Sequence, residues 1–185
     1  MKNSLASVRA IAQQTLRSAA SPETFNTALT GRLMALSRAQ DLIAAAGGGG
    51  IDLEAVLRQA LSEAGDGRVS LAGPEVRLAA ETAVNVLMGV HELAANAASY
   101  GALSSPAGQV CMAWELMGGR LELDWREEGG PPARPPERKG FGLRMVETGL
   151  PRSLGGSASI GFGPEGLRYH LSAPLSAAIQ VPAAH

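Results

Sequence analysis

Four consecutive glycines, Gly47 to Gly50, leave the 185-residue chain one stretch in which no side chain is available to pack. Such a run is a joint. It sets the expected organisation: a helical hairpin over residues 1–46, a linker at 47–50, a mixed domain over 51–175 and a flexible tail at 176–185. Before the joint the apolar spacing is helical only. Leu5, Val8, Ala12 and Leu16 define a first helix, and Ser21-Pro22-Glu23 ends it and starts a second, with Ser21 as N-cap and Pro22 in the first turn. The second helix carries Phe25, Leu29, Leu33, Leu36, Leu42 and Ile43 at steps of three and four. Two helices alone make a poor core. That stripe is covered either by a second copy, as a homodimeric four-helix bundle, or by the rest of the same chain.

After the joint, helical and strand-like patterns alternate. A helix is expected over 52–64, a strand near 69–71, and a long helix over 78–100 that Gly101 ends as a C-cap glycine. Strands at 108–116 and 120–126 are joined by Gly118-Gly119, a hairpin pattern. Residues 129–136, GGPPARPP, cannot form regular structure, because proline removes backbone donors and fixes the chain. A helix over 143–154 and strands at 157–162 and 166–172 complete an α+β domain with helices on one face of a sheet.

Composition narrows the function classes. Hydrophobic residues make up 45% of the chain, enough for a packed core, and the net charge is -1 with a pI near 6.3. No overall basic field exists to hold nucleic acid or an anionic membrane. The single Cys111 cannot form an intramolecular disulfide, and no leader or run of about 18 apolar residues is present, so a cytoplasmic setting with no direct membrane contact is expected.

Three short segments carry the chemistry. On the long helix Asn85, Glu92, Asn96 and Ser99 share one sector, opposite an apolar face that includes Val86, Leu87, Val90 and Leu93. The polar sector is either an ordinary solvated face or a site in which Asn96 gives a hard oxygen to Mg2+ while Glu92 acts as a base or orients a nucleophile. In Lys139-Gly140-Phe141-Gly142-Leu143, two glycines precede a helix, an arrangement that makes either a plain turn or a close approach for phosphate. No Gly-x-x-x-x-Gly-Lys-Ser/Thr pattern is present, which removes the P-loop. Between these lies Trp125-Arg126-Glu127-Glu128-Gly129-Gly130, a carboxylate at a strand end able to accept from an exocyclic amine.

In that order, "HELAANAASYGALS", "WREEGGPP" and "KGFGLRMVE" resemble the boxes of the histidine-kinase branch of the ATPase superfamily that includes gyrase, the Hsp90 chaperones and MutL. Within it they resemble the HWE family of bacterial sensor kinases, named for a His in the Asn-bearing box and a Trp-x-Glu in the next. The likeness extends back to "MKNSLASVRAIAQQTL" and "GRLMALSRAQDL", similar to the two helices of a dimerisation and phosphotransfer domain. It implies a two-layer α/β sandwich of the histidine kinase and Hsp90 ATPase type behind the hairpin, with ATP and Mg2+ as cofactors.

The resemblance implies Asn96 as the magnesium ligand, Glu92 as the group beside the nucleophile and Glu127, with Gly129, as the adenine contact. Gly140, Gly142 and Leu143 bound the lid and open the phosphate-facing helix. His91 is expected in a structural hydrogen bond and Trp125 under the nucleotide pocket. The family's first helix opens His-Arg-Val/Met-Lys-Asn with the His as phosphoacceptor, whereas this chain starts at Met1-Lys2-Asn3; His170 and His185 have no helix-one context. The expectation is a kinase core with a clipped start, passing the γ-phosphoryl of ATP to a His and onward to a response-regulator Asp. Its rivals are a non-catalytic docking scaffold and a free-standing ATPase.

Overall fold

In the computed structural model, which describes residues 2–65 and 67–182 with side chains from Leu5 onward, the hairpin consists of α1 (Lys2–Ser18) and α2 (Pro22–Ala45). Its turn follows from local chemistry. The Ser21 hydroxyl accepts from the Thr24 amide at 3.2 Å while the Thr24 hydroxyl accepts from the Ser21 amide at 2.9 Å, a reciprocal capping box.

The mixed domain runs β1 (Ile51–Asp52), α3 (Leu53–Ala60), β2 (Val69–Ala72), β3 (Arg77–Leu78), α4 (Ala80–Ser99), β4 (Gln109–Met117), β5 (Arg120–Glu128), α5 (Phe141–Arg144), α6 (Leu150–Ser153), β6 (Ser157–Gly163), β7 (Gly166–Pro174) and β8 (Ile179–Gln180). Five strands form a sheet in the order β2-β4-β5-β7-β6, antiparallel except where β2 runs parallel to β4. Alternation decides its faces: Leu121, Leu123, Trp125 and Glu127 of β5 are buried toward the helices, while Arg120, Glu122, Asp124 and Arg126 point the other way.

α2 packs along α4, and Ile11, Ala35, Leu36 and Ala39 of the hairpin belong to the same apolar cluster as Leu57, Leu87 and Leu93. Of the expected stripe of α2, Leu36 is buried against its own chain and Leu29, Leu42 and Ile43 pack at the edge of that cluster, whereas Phe25 and Leu33 are only half-buried. Leu5, Leu16 and Met34 stay exposed on the hairpin's other side.

Three expectations are corrected. The tail is not free from residue 176: Ile179 is buried and pairs with Leu78, which also pairs with Ile51, in a second sheet ordered β1-β3-β8. Strands of two residues carry too little alternation to be read from sequence. Gly101 is not a left-handed C-cap, since its φ is -108°; its small size serves Glu127 instead.

The helix expected at 143–154 begins at Phe141 and contains a π turn, Met145–Gly149, between α5 and α6. There the Leu150 amide bonds back to the Met145 carbonyl, and the next residue, Pro151, has no N–H to offer Val146. The Tyr169 hydroxyl of β7 donates to that Val146 carbonyl at 2.8 Å. A buried hydroxyl so placed ties the sheet to the helix and supplies the donor that proline removes.

Candidate functional site

Glu92 lies on α4 with only 5% of its surface exposed, while Asn85 and Asn96 of the same sector are half-buried and Ser99 is exposed. A buried carboxylate needs a partner. Arg32 of α2 provides it in a two-pronged pair, Nε to Oε1 at 2.7 Å and Nη2 to Oε2 at 2.9 Å. The remaining prong, Nη1, donates to the Thr15 hydroxyl of α1 at 2.8 Å, and that hydroxyl donates to the Ile11 carbonyl at 2.7 Å. The guanidinium also stacks on Phe141, 4.0 Å from the ring centroid. Sequence reading missed Arg32. The available sign was a lone charge on the buried stripe between Leu29 and Leu36.

The third box closes on the same carboxylate. A Cβ on Gly142 would stand 2.5 Å from Glu92 Oε2, so glycine here lets the start of α5 reach α4. Gly140 differs, because nothing lies within 4 Å of its missing Cβ. Leu143 is buried against the core. Lys139, largely exposed, pairs with Glu147 at 2.7 Å, and Arg144 Nε donates to the Lys139 carbonyl at 3.2 Å. The Ala133 amide bonds the Gly163 carbonyl at 2.9 Å, pinning the proline-rich loop to the sheet edge.

Glu127 ends the buried face of β5. Oε2 accepts from the Ala102 amide at 2.9 Å and Oε1 from the indole N–H of Trp125 at 3.1 Å. Trp125 is two residues earlier on the same strand face and fully buried. Burial raises the Glu127 carboxyl above its ordinary value, and the two hydrogen bonds offset only part of that. The glycines around it meet protein backbone. A Cβ on Gly129 (φ 71°) would come 2.7 Å from the Ala107 carbonyl, and one on Gly130 would come 2.3 Å from Ala102 Cα. Each Glu127 oxygen retains a second acceptor direction.

Asn96 sits one helical turn beyond Glu92 and is half-buried. Among the described residues no group of three or more His, Cys, Asp or Glu is placed to hold a metal ion. That donor set suits an ion carried mainly by a ligand's own oxygens, as Mg2+ is by phosphates, and not a protein-caged ion. His91 is half-buried beside Gly31 of α2, where a Cβ would meet its Nε2 at 3.3 Å, and burial pulls its pKa down. His170 lies on the outer sheet face, with Nδ1 3.1 Å from Asp124 and Nε2 3.2 Å from Glu122. His185 falls outside the described residues. No helix of the described residues is long and apolar enough to cross a membrane.

The profile of the family described as HWE histidine kinase matches residues 1–75, the hairpin through β2. A blue-light-activated histidine kinase of Brucella anthropi is 36% identical over 183 residues, covering 95% of this chain and 37% of the relative. The Brucella abortus protein of the same description is 32% identical over 182 residues, with the same coverage. The chain therefore spans little more than a third of these curated relatives. Among solved structures, the histidine kinase domain of Erythrobacter litoralis EL346 superposes with a TM-score of 0.65 at 19% identity, over 91% of this chain and 94% of that one. Acinetobacter baumannii AdeS gives 0.53 at 17%, over 94% and 98%. At such identities the structural likeness concerns the fold, which is that of histidine kinases. The sequence relatives extend the likeness through all three boxes, and the chain is similar to the HWE histidine kinases.

Proposed function

We propose that this chain is the kinase core of a sensor histidine kinase, binding ATP with Mg2+ in the mixed domain and passing the γ-phosphoryl to a histidine. Residues 1–46 serve as the dimerisation and phosphotransfer hairpin, 47–50 as linker and 51–175 as the ATP-binding domain. The observation that carries this reading is convergence: Glu92, with Asn96 one turn on, meets Gly142 of the third box, and Gly101, after the same helix, meets Glu127 of the second. Asn96 would hold Mg2+, Glu127 with Gly129 would receive adenine, and Gly140, Gly142 and Leu143 would border the phosphates. Bound Mg2+ supplies charge neutralisation for phosphoryl transfer, a reaction governed by positioning and electrostatics. Glu92 takes or orients the proton of the attacking imidazole.

Neither described histidine suits the acceptor role, since His91 is wedged against α2 and His170 lies on a strand of the outer face. By resemblance the acceptor is the His of the His-Arg pair that family members carry at the start of the first helix, and a response-regulator Asp receives the group next. Incubation with labelled ATP tests this. Acid-labile phosphate should appear on a chain with His-Arg restored before Met1 and not on the 185-residue chain; label on the latter overturns the assignment. The docking-scaffold alternative requires that calorimetry find no ATP binding, or binding indifferent to Asn96→Ala.

A further inference from the structure

The catalytic carboxylate assigned above is not free to act in this structure. Both Glu92 oxygens are held by Arg32, and the pair is closed on every side: Thr15 takes the third prong, Phe141 lies on the guanidinium face, and Gly142 abuts Oε2. One arginine of the hairpin thereby touches α1, α4 and the start of α5 at once. The rest of the buried stripe of α2 is apolar, with Ala35, Leu36 and Ala39 following Arg32, and half-buried Gly31 precedes it against His91. Arg32 is the member of that stripe whose bond depends on charge.

A guanidinium fork matches a phosphate as well as it matches a carboxylate. Taking one charge of a buried pair away leaves the other uncompensated, so an exchange of partners is favoured only when a new anion arrives in the same step. The new anion would enter beside Gly142 and Phe141, where Arg32 already sits.

We propose that Arg32 is a positioning residue that latches the hairpin onto the ATP-binding domain and masks Glu92 until the terminal phosphate of ATP takes the guanidinium in its place. This rests on the reading of Glu92 as the kinase carboxylate. In the latched state Glu92 does not meet an imidazole, because the pair is buried beneath Thr15, Phe141 and Gly142. Exchange frees Glu92 and loosens α2 from α4 together. ADP, which lacks the third phosphate, leaves the latch closed.

Two exposed positions allow a direct reading. Cys111 is the chain's single cysteine and lies exposed on β4, and Met34 is exposed on α2. Spin labels on Cys111 and on Met34→Cys report the hairpin-to-sheet distance by pulsed electron resonance. With labelled chains diluted into unlabelled ones, so that pairs between protomers are rare, one narrow distance is expected without nucleotide, with the released form at about a tenth or less of the population. Arg32→Ala and, from the other side of the pair, Glu92→Gln should make the released distribution the majority, and Arg32→Lys should restore much of the narrow one. ATP with Mg2+ should release the wild type, and ADP with Mg2+ should not.

An unmoved distance in both Arg32→Ala and Glu92→Gln overturns the latch, as does an equal response to ATP and ADP. Calorimetry on the same samples separates the two readings: ATP binding with an unmoved distance defeats the latch alone, whereas absence of ATP binding in every variant defeats the kinase reading and nucleotide-driven release together.

Discussion

Gly101 and Glu127 occupy one volume: a Cβ on the glycine would lie 2.0 Å from Oε2 of the carboxylate, which is itself held by the Ala102 amide at 2.9 Å. The end of α4 and the end of β5 are thereby locked in register, and two of the three sequence boxes meet at a glycine. Gly101→Ala forces the carboxylate off the Ala102 amide and should cost about 3 kcal/mol, near the upper end for overpacking. Urea unfolding measures it. The penalty should shrink when Glu127→Ala is already present, because the two changes then share one lost contact.

Glu127 also gives stability a pH dependence. Burial raises its carboxyl above the ordinary 4.5, so the folded chain keeps a proton that the unfolded chain has released. The contribution is full below pH 4.5 and is lost as pH rises through the raised value. In urea melts at a series of pH values, wild-type stability minus that of Glu127→Gln should be level below 4.5 and fall above it. A rise across that window contradicts the assigned direction.

His91 works with the opposite sign. Burial is the leading cause of its lowered pKa, with Arg38 and Arg32 adding to it and the carboxylates of Glu92 and Glu63 opposing it. The unfolded chain, with an ordinary value of 6.5, takes up the proton first on acidification. Stability from this group is present above 6.5 and lost as pH falls through the lowered value. His91→Gln should flatten that acid-side loss, and an NMR titration of the ring should give a midpoint below 6.5.

Tyr169→Phe tests the anchor beneath the π turn. The Val146 carbonyl would lose its donor, with Pro151 unable to replace it, at a cost of about 1–3 kcal/mol. Hydrogen exchange should quicken over residues 145–153 more than in β5. Equal exchange there shows that the turn holds without the tyrosine.

Where a backbone preference or a repeat spacing is strong, local sequence determined the outcome. Ser21-Pro22 and Thr24 build their turn from atoms within four residues, and the alternation along 120–128 assigns faces without any partner. The order of three boxes was legible because each is a short run with its own composition. Tertiary structure alone decided what the glycines are for. Gly101, Gly129 and Gly142 read locally as a cap, a ligand approach and an anion turn, and each also faces an atom more than 20 residues away, which no local pattern encodes. The same holds for the pairing of Arg32 with Glu92, 60 residues apart: sequence shows Arg32 among several charges on α2 and Glu92 as one of two carboxylates on α4, and only packing those helices together, where an unpaired buried charge is not tolerated, makes them partners.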